Sequence, residues 1–178
     1  PTAAGLPLCS REGLTERIAY AHAHGLQTAT HAIGDACLDW LLDALEAAQT
    51  AHPRPDCRHG VVHCQITRPD QLDRIARLGL HVYAQSIFLD SDIQIVEARG
   101  GPRLAAPSYS WKTLPARGVT VSNGSDCPVE TPRVLSGLQC AVTRRTLRGQ
   151  GPYLPEQAFT VQQALDSYTI AGARASFE

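Results

Sequence analysis

The chain has 178 residues, 43% hydrophobic and 19% charged, with a formal net charge of -1. That is an ordinary globular composition with enough apolar residues for a core, and its near-neutrality argues against nucleic acid or an anionic membrane as partner. No apolar run approaches the roughly 18 residues of a membrane span, and the N-terminal residues lack the charged-then-apolar pattern of a signal peptide.

In chain order, Ser10 can cap a helix whose positions Leu14, Ile18 and Ala21 share one face, and Gly25 suits its left-handed end. A strand from Leu26 to His31 follows, with β-branched Thr28 and Thr30. Gly34 allows a tight turn, and Asp35 serves as N-cap of a helix reaching about Gln49, with Leu38, Leu41, Leu42, Leu45 and Ala48 on one stripe. The run Gly60-Val61-Val62-His63 reads as a buried strand. Thr67-Arg68-Pro69-Asp70 opens the next helix with an acidic capping box, and Gly79 closes it.

A third strand spans Leu80 to Ser86, with His81, Tyr83 and Gln85 on one face and Val82 and Ala84 on the other. Ile87 to Pro107 is irregular, with a short helix from Asp92 to Ala98, and a loop of this size beside an α/β core is usually functional. Ser108 to Arg117 reads as a helix interrupted near Pro115. The fourth strand, Val119 to Ser122, runs into Asn123-Gly124-Ser125-Asp126. A helix from Val134 to Leu147 follows, whose Arg144, Arg145 and Arg148 read as a solvated basic face. Thr160 and Gln163 then supply a capping box for a helix through Tyr168. The alternation predicts an α/β fold with parallel strands, four strand-plus-helix units making half of an eight-stranded barrel.

Six cysteines, at 9, 37, 57, 64, 127 and 140, include no C-x-x-C pair. They read as reduced cytoplasmic thiols, several of them buried, rather than a disulfide framework or zinc knuckle. The absence of methionine makes Pro1 something other than a translation start, so the chain is expected to be processed or part of something longer.

His31, His63 and Asp126 each stand where a strand passes into a loop, the end at which catalytic groups project in α/β barrels. Two imidazoles and a carboxylate converging on one rim suit Zn²⁺ or a similar divalent ion. Taken singly, each histidine also reads as a hydrogen-bonded structural residue, and Asp126 as the cap of a turn. Cys64 and Cys127 flank these positions but lack a partner in nucleophile order and read as packing residues. Ser125 is not in a G-x-S-x-G elbow.

The phrases His31-Ala32-Ile33-Gly34-Asp35, Arg58-His59-Gly60-Val61-Val62-His63-Cys64-Gln65 and Gly124-Ser125-Asp126-Cys127-Pro128-Val129-Glu130 resemble three successive signatures of the amidohydrolase superfamily. They are most similar to the branch of metal-dependent amidohydrolases that includes N-substituted formamide deformylase. Ser108 to Leu114, Ala141 to Arg144 and Ala164 to Thr169 resemble that branch as well. The resemblance implies a (β/α)8 TIM-type barrel of which residues 1–178 are the C-terminal half, the N-terminal half and a small β-sandwich being absent. His31 would be the metal ligand of the fifth barrel strand and His63 that of the sixth. Asp126, on the eighth, would bind metal and shuttle the proton. Gln85, at the seventh, would face substrate or serve equally well as a structural hydrogen-bonding residue, with Gln65 and Arg103 as lesser candidates to reach the pocket.

The implied cofactor is a divalent metal, zinc first, with one or two ions in the full-length parent. The implied reaction is hydrolysis of an amide or formamide C–N bond in a small molecule by metal-activated water. The rival reading is a non-catalytic fragment or interaction module whose partner is the missing half of the barrel or a homo-oligomer. The family's His-x-His pair and bridging lysine have no counterpart. His22-Ala23-His24 lies in the last turn of a helix, where the dipole favours histidines, and Lys112 reads as a surface residue.

Overall fold

The computed structural model describes residues 5–178, so the expectation about Pro1 lies outside the described residues. Ser10 caps α1 (Arg11–Ala23), its hydroxyl oxygen accepting from the Gly13 amide at 3.1 Å, and the chain leaves this helix through Gly25 at φ 78. β1 (Ala29–Ala32) is followed by α2 (Asp35–Ala51), β2 (Gly60–His63) by α3 (Pro69–Arg77), and β3 (His81–Ala84) by short helical turns. β4 (Val121–Asn123) leads to the helices Val134–Thr143, Val161–Tyr168 and Ile170–Ala175. The strands form one open sheet in the order β1-β2-β3-β4, every neighbouring pair parallel. This is the α/β alternation expected from the sequence.

The register sorts the sheet into two faces. His31 aligns with Val62, Val62 with Tyr83 and Tyr83 with Ser122, so these four share one side. Thr30, Val61, Val82 and Val121 share the other, and Val61 and Val82 are fully buried in a core with Leu38, Leu41, Leu42 and Leu45 of α2. Gly60 is required on the first face: a Cβ there would lie 2.2 Å from the Tyr83 ring. Arg68 ties α3 to α2 through Asp39 at 2.8 Å, and Arg74 reaches Asp43 and Glu46 at 2.7 and 2.9 Å.

Several boundaries differ from the sequence reading for local reasons. Gly34, not Asp35, is the N-cap of α2; Asp35 is its first residue, where its carboxylate favours the helix start and accepts from the Ala36 amide. In α3 the reciprocal capping group is Gln71, whose Oε1 accepts from the Arg68 amide, while Asp70 pairs with Arg68. β1 starts late because the Thr28 amide donates to His59 Nδ1, and β4 starts late because the Val119 amide closes a turn onto Leu114. The segment after β3 holds helical turns at Leu89–Asp92, Val96–Gly100 and Pro102–Ala105 rather than one helix, and residues 108–117 form two 3₁₀ turns.

Three side chains also sit differently. The helix from Val134 ends at Thr143, because Arg144 adopts φ 55 and turns inward; its Nε donates to the Tyr153 carbonyl and the side chain is buried. The expected basic face is therefore broken at its first member. Lys112 is half-buried and donates to Gln163 Oε1 at 2.8 Å. His22 lies in the last turn of its helix as expected but is fully buried, whereas His24 is exposed.

Candidate metal centre

His31 lies near the carboxyl end of β1 and His63 closes β2. Strict alternation would send His63 to the Val61 face, away from His31. The backbone prevents this: His63 at φ 75 and Cys64 at φ 52 both take the left-handed conformation, uncommon for residues with a Cβ. The turn is held by Trp111, whose indole Nε1–H is shared between the His63 and Cys64 carbonyls at 2.9 and 3.0 Å. As a result His63 Nε2 comes within 2.9 Å of His31 Nδ1, the two rings meeting edge to face at 76°.

Gln85 fixes the tautomer of His63. Its Nε2 donates to the Tyr83 carbonyl at 3.1 Å, which leaves Oε1 to accept from His63 Nδ1–H at 2.8 Å. A neutral His63 then carries its lone pair on Nε2, pointing at His31. Burial lowers the pKa of His63 and the neighbouring His31 lowers it further, against opposing contributions from Gln85 and from the Asp126 carboxylate. A neutral imidazole whose second nitrogen is anchored is what a metal ligand requires.

Asp126 stands on the loop after β4, itself at φ 54. That loop is placed by Asn123, whose Oδ1 accepts from the Ser86 amide at 2.9 Å and whose Nδ2 donates to Ser167 Oγ at 3.0 Å. The Gly124 amide extends the ladder to the Ala84 carbonyl. Asp126 is thus held at the same end of the sheet as the histidines, but its carboxylate does not join them in a group of ligand atoms within 4.8 Å of one another, so the described residues bring together two of the three expected ligands, His31 and His63. Gln85, expected to serve either substrate contact or structural hydrogen bonding, is 5% exposed, with both ends of its carboxamide engaged by His63 and Tyr83.

A groove opens beside the pair, walled by Ile33, Phe88 and Val129 and edged by Gln65, Asp92 and Glu130. Gln65 is buried and donates to Asp92 Oδ2 at 2.9 Å and to the Tyr109 hydroxyl at 3.3 Å, and that hydroxyl donates to Asp92. Arg103 sits in the exposed part of the turn Pro102–Ala105 and does not line this groove. Sequence reasoning missed Asp92, Tyr109 and the locking role of Trp111. The only signal for the last two was their place in the phrase from Ser108 to Leu114.

The model of the family described as amidohydrolase matches residues 1–178. YtcJ of Bacillus subtilis (strain 168) is 32% identical over 176 residues, covering 97% of this chain and 32% of its own length. N-substituted formamide deformylase of Arthrobacter pascens is 30% identical over 153 residues, covering 85% of this chain and 28% of its own. The crystal structure of an uncharacterized metal-dependent hydrolase from Pyrococcus furiosus superposes with a TM-score of 0.85 at 29% identity, over 99% of this chain and 35% of that one. The chain therefore spans about a third of the length of the relatives it matches.

Proposed function

The chain belongs to the amidohydrolase family, and from that premise we propose that it forms strands five to eight of a barrel that hydrolyses a C–N bond of the amide or formamide type in a small molecule. The convergence of His31 Nδ1 and His63 Nε2, with His63 Nδ1 anchored on Gln85, carries this reading. With the Asp126 carboxylate brought in from the same rim, these residues would make an N,N,O donor set for a divalent ion, zinc first, with further positions left for water, substrate or ligands from the rest of the barrel. The ion supplies Lewis acidity toward the scissile carbonyl and lowers the pKa of water at the rim.

The residues of this chain do the rest. Asp126 takes a proton on its carboxylate from the attacking water and returns it to the leaving amine nitrogen, acting as base and then as acid. His63 is kept neutral by its burial and oriented by Gln85. Ile33, Phe88 and Val129 offer an apolar wall to the non-reacting part of the substrate. Six free cysteines suit a reducing, cytoplasmic setting.

The test is metal content and turnover of N-formyl and N-acyl amines by the intact protein. Stoichiometric divalent metal with hydrolysis supports the reading, and full activity in a metal-free preparation defeats it. A second reading has its own observation, since among the described residues β1 and β4 each leave one edge of the sheet unpaired. On that reading this stretch acts as an interaction module that pairs with other strands and is inert without them.

A further inference from the structure

A second cluster of ligand-type side chains lies at the opposite end of the sheet. His59 immediately precedes β2, on the face that Val61 shares, about 13 Å along the strand from His63 at 3.3 Å per residue. It meets His22 from the last turn of α1, with His22 Nδ1 and His59 Nε2 2.9 Å apart. Cys57 completes the group. Among the described residues one ligand atom from each of these three lies within 4.8 Å of the others, and all three side chains are buried. The loop that delivers Cys57 and His59 is bent twice, with Asp56 at φ 51 and Arg58 at φ 46 on either side of Cys57. Nothing in the chemistry at the rim uses these residues.

We propose that His22, Cys57 and His59 form a second metal site, separate from the rim, that takes Zn²⁺. One thiolate and two imidazoles are a borderline-soft donor set suited to that ion, and a water completes four-coordination. At zinc–nitrogen and zinc–sulfur lengths of about 2.0 to 2.3 Å, tetrahedral ligand atoms stand roughly 3.3 to 3.6 Å apart, so a cluster within 4.8 Å needs no separation to change by more than about 1.5 Å. The outer contacts suit ligation. His22 Nε2–H donates to the His52 carbonyl at 2.7 Å, which fixes Nδ1 as the nitrogen carrying the free lone pair. Arg54 is held by the His22 and Gly25 carbonyls, and its own carbonyl accepts from the Cys57 thiol at 3.3 Å, which fixes Sγ beside the imidazoles.

Without metal, the same groups form a closed proton chain. The Thr28 amide donates to His59 Nδ1, so the ring proton sits on Nε2 and points at His22. Loading the ion moves that proton to Nδ1, where Thr28 Oγ1, 2.9 Å away, accepts it, while the Thr28 amide turns to water at this half-buried position. The thiol proton is released to solvent. One proton is lost per ion bound, and no redox step is involved.

The test is spectroscopic and uses the intact protein. Loaded with Co²⁺, it should show a thiolate-to-metal charge-transfer band, which a rim site of two histidines and an aspartate cannot produce. Cys57→Ser should remove the band and one equivalent of bound cobalt, while His31→Ala should leave the band in place. X-ray absorption of the zinc-loaded wild-type protein requires no variant and should show one sulfur scatterer at about 2.3 Å. Purely nitrogen and oxygen coordination, or a charge-transfer band that survives both Cys57→Ser and His22→Ala, would overturn the proposal.

Discussion

His63 reaches His31 because its own backbone is left-handed: at φ 75 the strand's alternation is broken, and Nε2 is delivered to within 2.9 Å of His31 Nδ1. Conformations of this kind persist where the surroundings over-determine them. Here the shared indole hydrogen bond from Trp111 and the Gln85 contact do so from two sides.

If this pair holds the ion, the two kinds of ligand separate by phenotype. His31→Ala and His63→Ala should each lower the metal content of the rim in proportion to lost activity. Asp126→Asn keeps an oxygen donor and should retain more metal while losing turnover by roughly 10²-fold or more. Elemental analysis beside kcat on the same preparations decides it, and three variants with wild-type activity would refute the assignment.

Removing the acceptor behind His63 should act on affinity. Gln85→Leu frees the ring to change tautomer and should weaken rim metal binding by about 10- to 100-fold, the range usual for groups that orient a ligand. Competition with a chelator measures this. Gln85→Glu, which restores an acceptor oxygen, should recover most of the affinity.

Gly60→Ala places a methyl group 2.2 Å from the Tyr83 ring and should destabilise the protein by about 1–3 kcal/mol, the usual cost of overpacking. Chemical denaturation measures the loss. Combining it with Tyr83→Ala should give less than the sum of the two single effects, since the second change removes the atom that the first one meets.

Burial, with the charge of Arg58 adding to it, pushes His81 down to about 4. Above about pH 6.5 the group is neutral whether the chain is folded or not. Between that value and about 4 the unfolded chain binds a proton that the folded one refuses, so unfolding free energy falls with pH. The loss is on the order of 3 kcal/mol and levels off below about pH 4. Denaturation of wild type against His81→Gln across this window, in the presence of a chelator, should show a shallower pH slope in the variant. Identical slopes would remove His81 as the cause.

Much of this molecule was legible in residue order. The Leu38-Leu41-Leu42-Leu45 stripe, the Ser10 and Thr160 caps and the Gly60 to His63 run each state their element locally, because caps, periodicity and β-branching act over a few residues. Beyond the local shifts in capping residues, errors fell where a group farther along the chain claimed a backbone amide or a charge. Thr28 gave its amide to His59, and Arg144 turned into the Tyr153 carbonyl.

The sequence by itself determined the α/β alternation and put His31 and His63 at the ends of their strands and Asp126 just beyond β4, since both follow from short-range pattern. Tertiary structure alone decided that His63 turns against its own alternation, that Gln85 stands behind it, and that His22, Cys57 and His59 meet at the opposite end. Those three outcomes depend on contacts between residues 22 to 48 positions apart, whose geometry exists only once the strands have registered and the helices have packed.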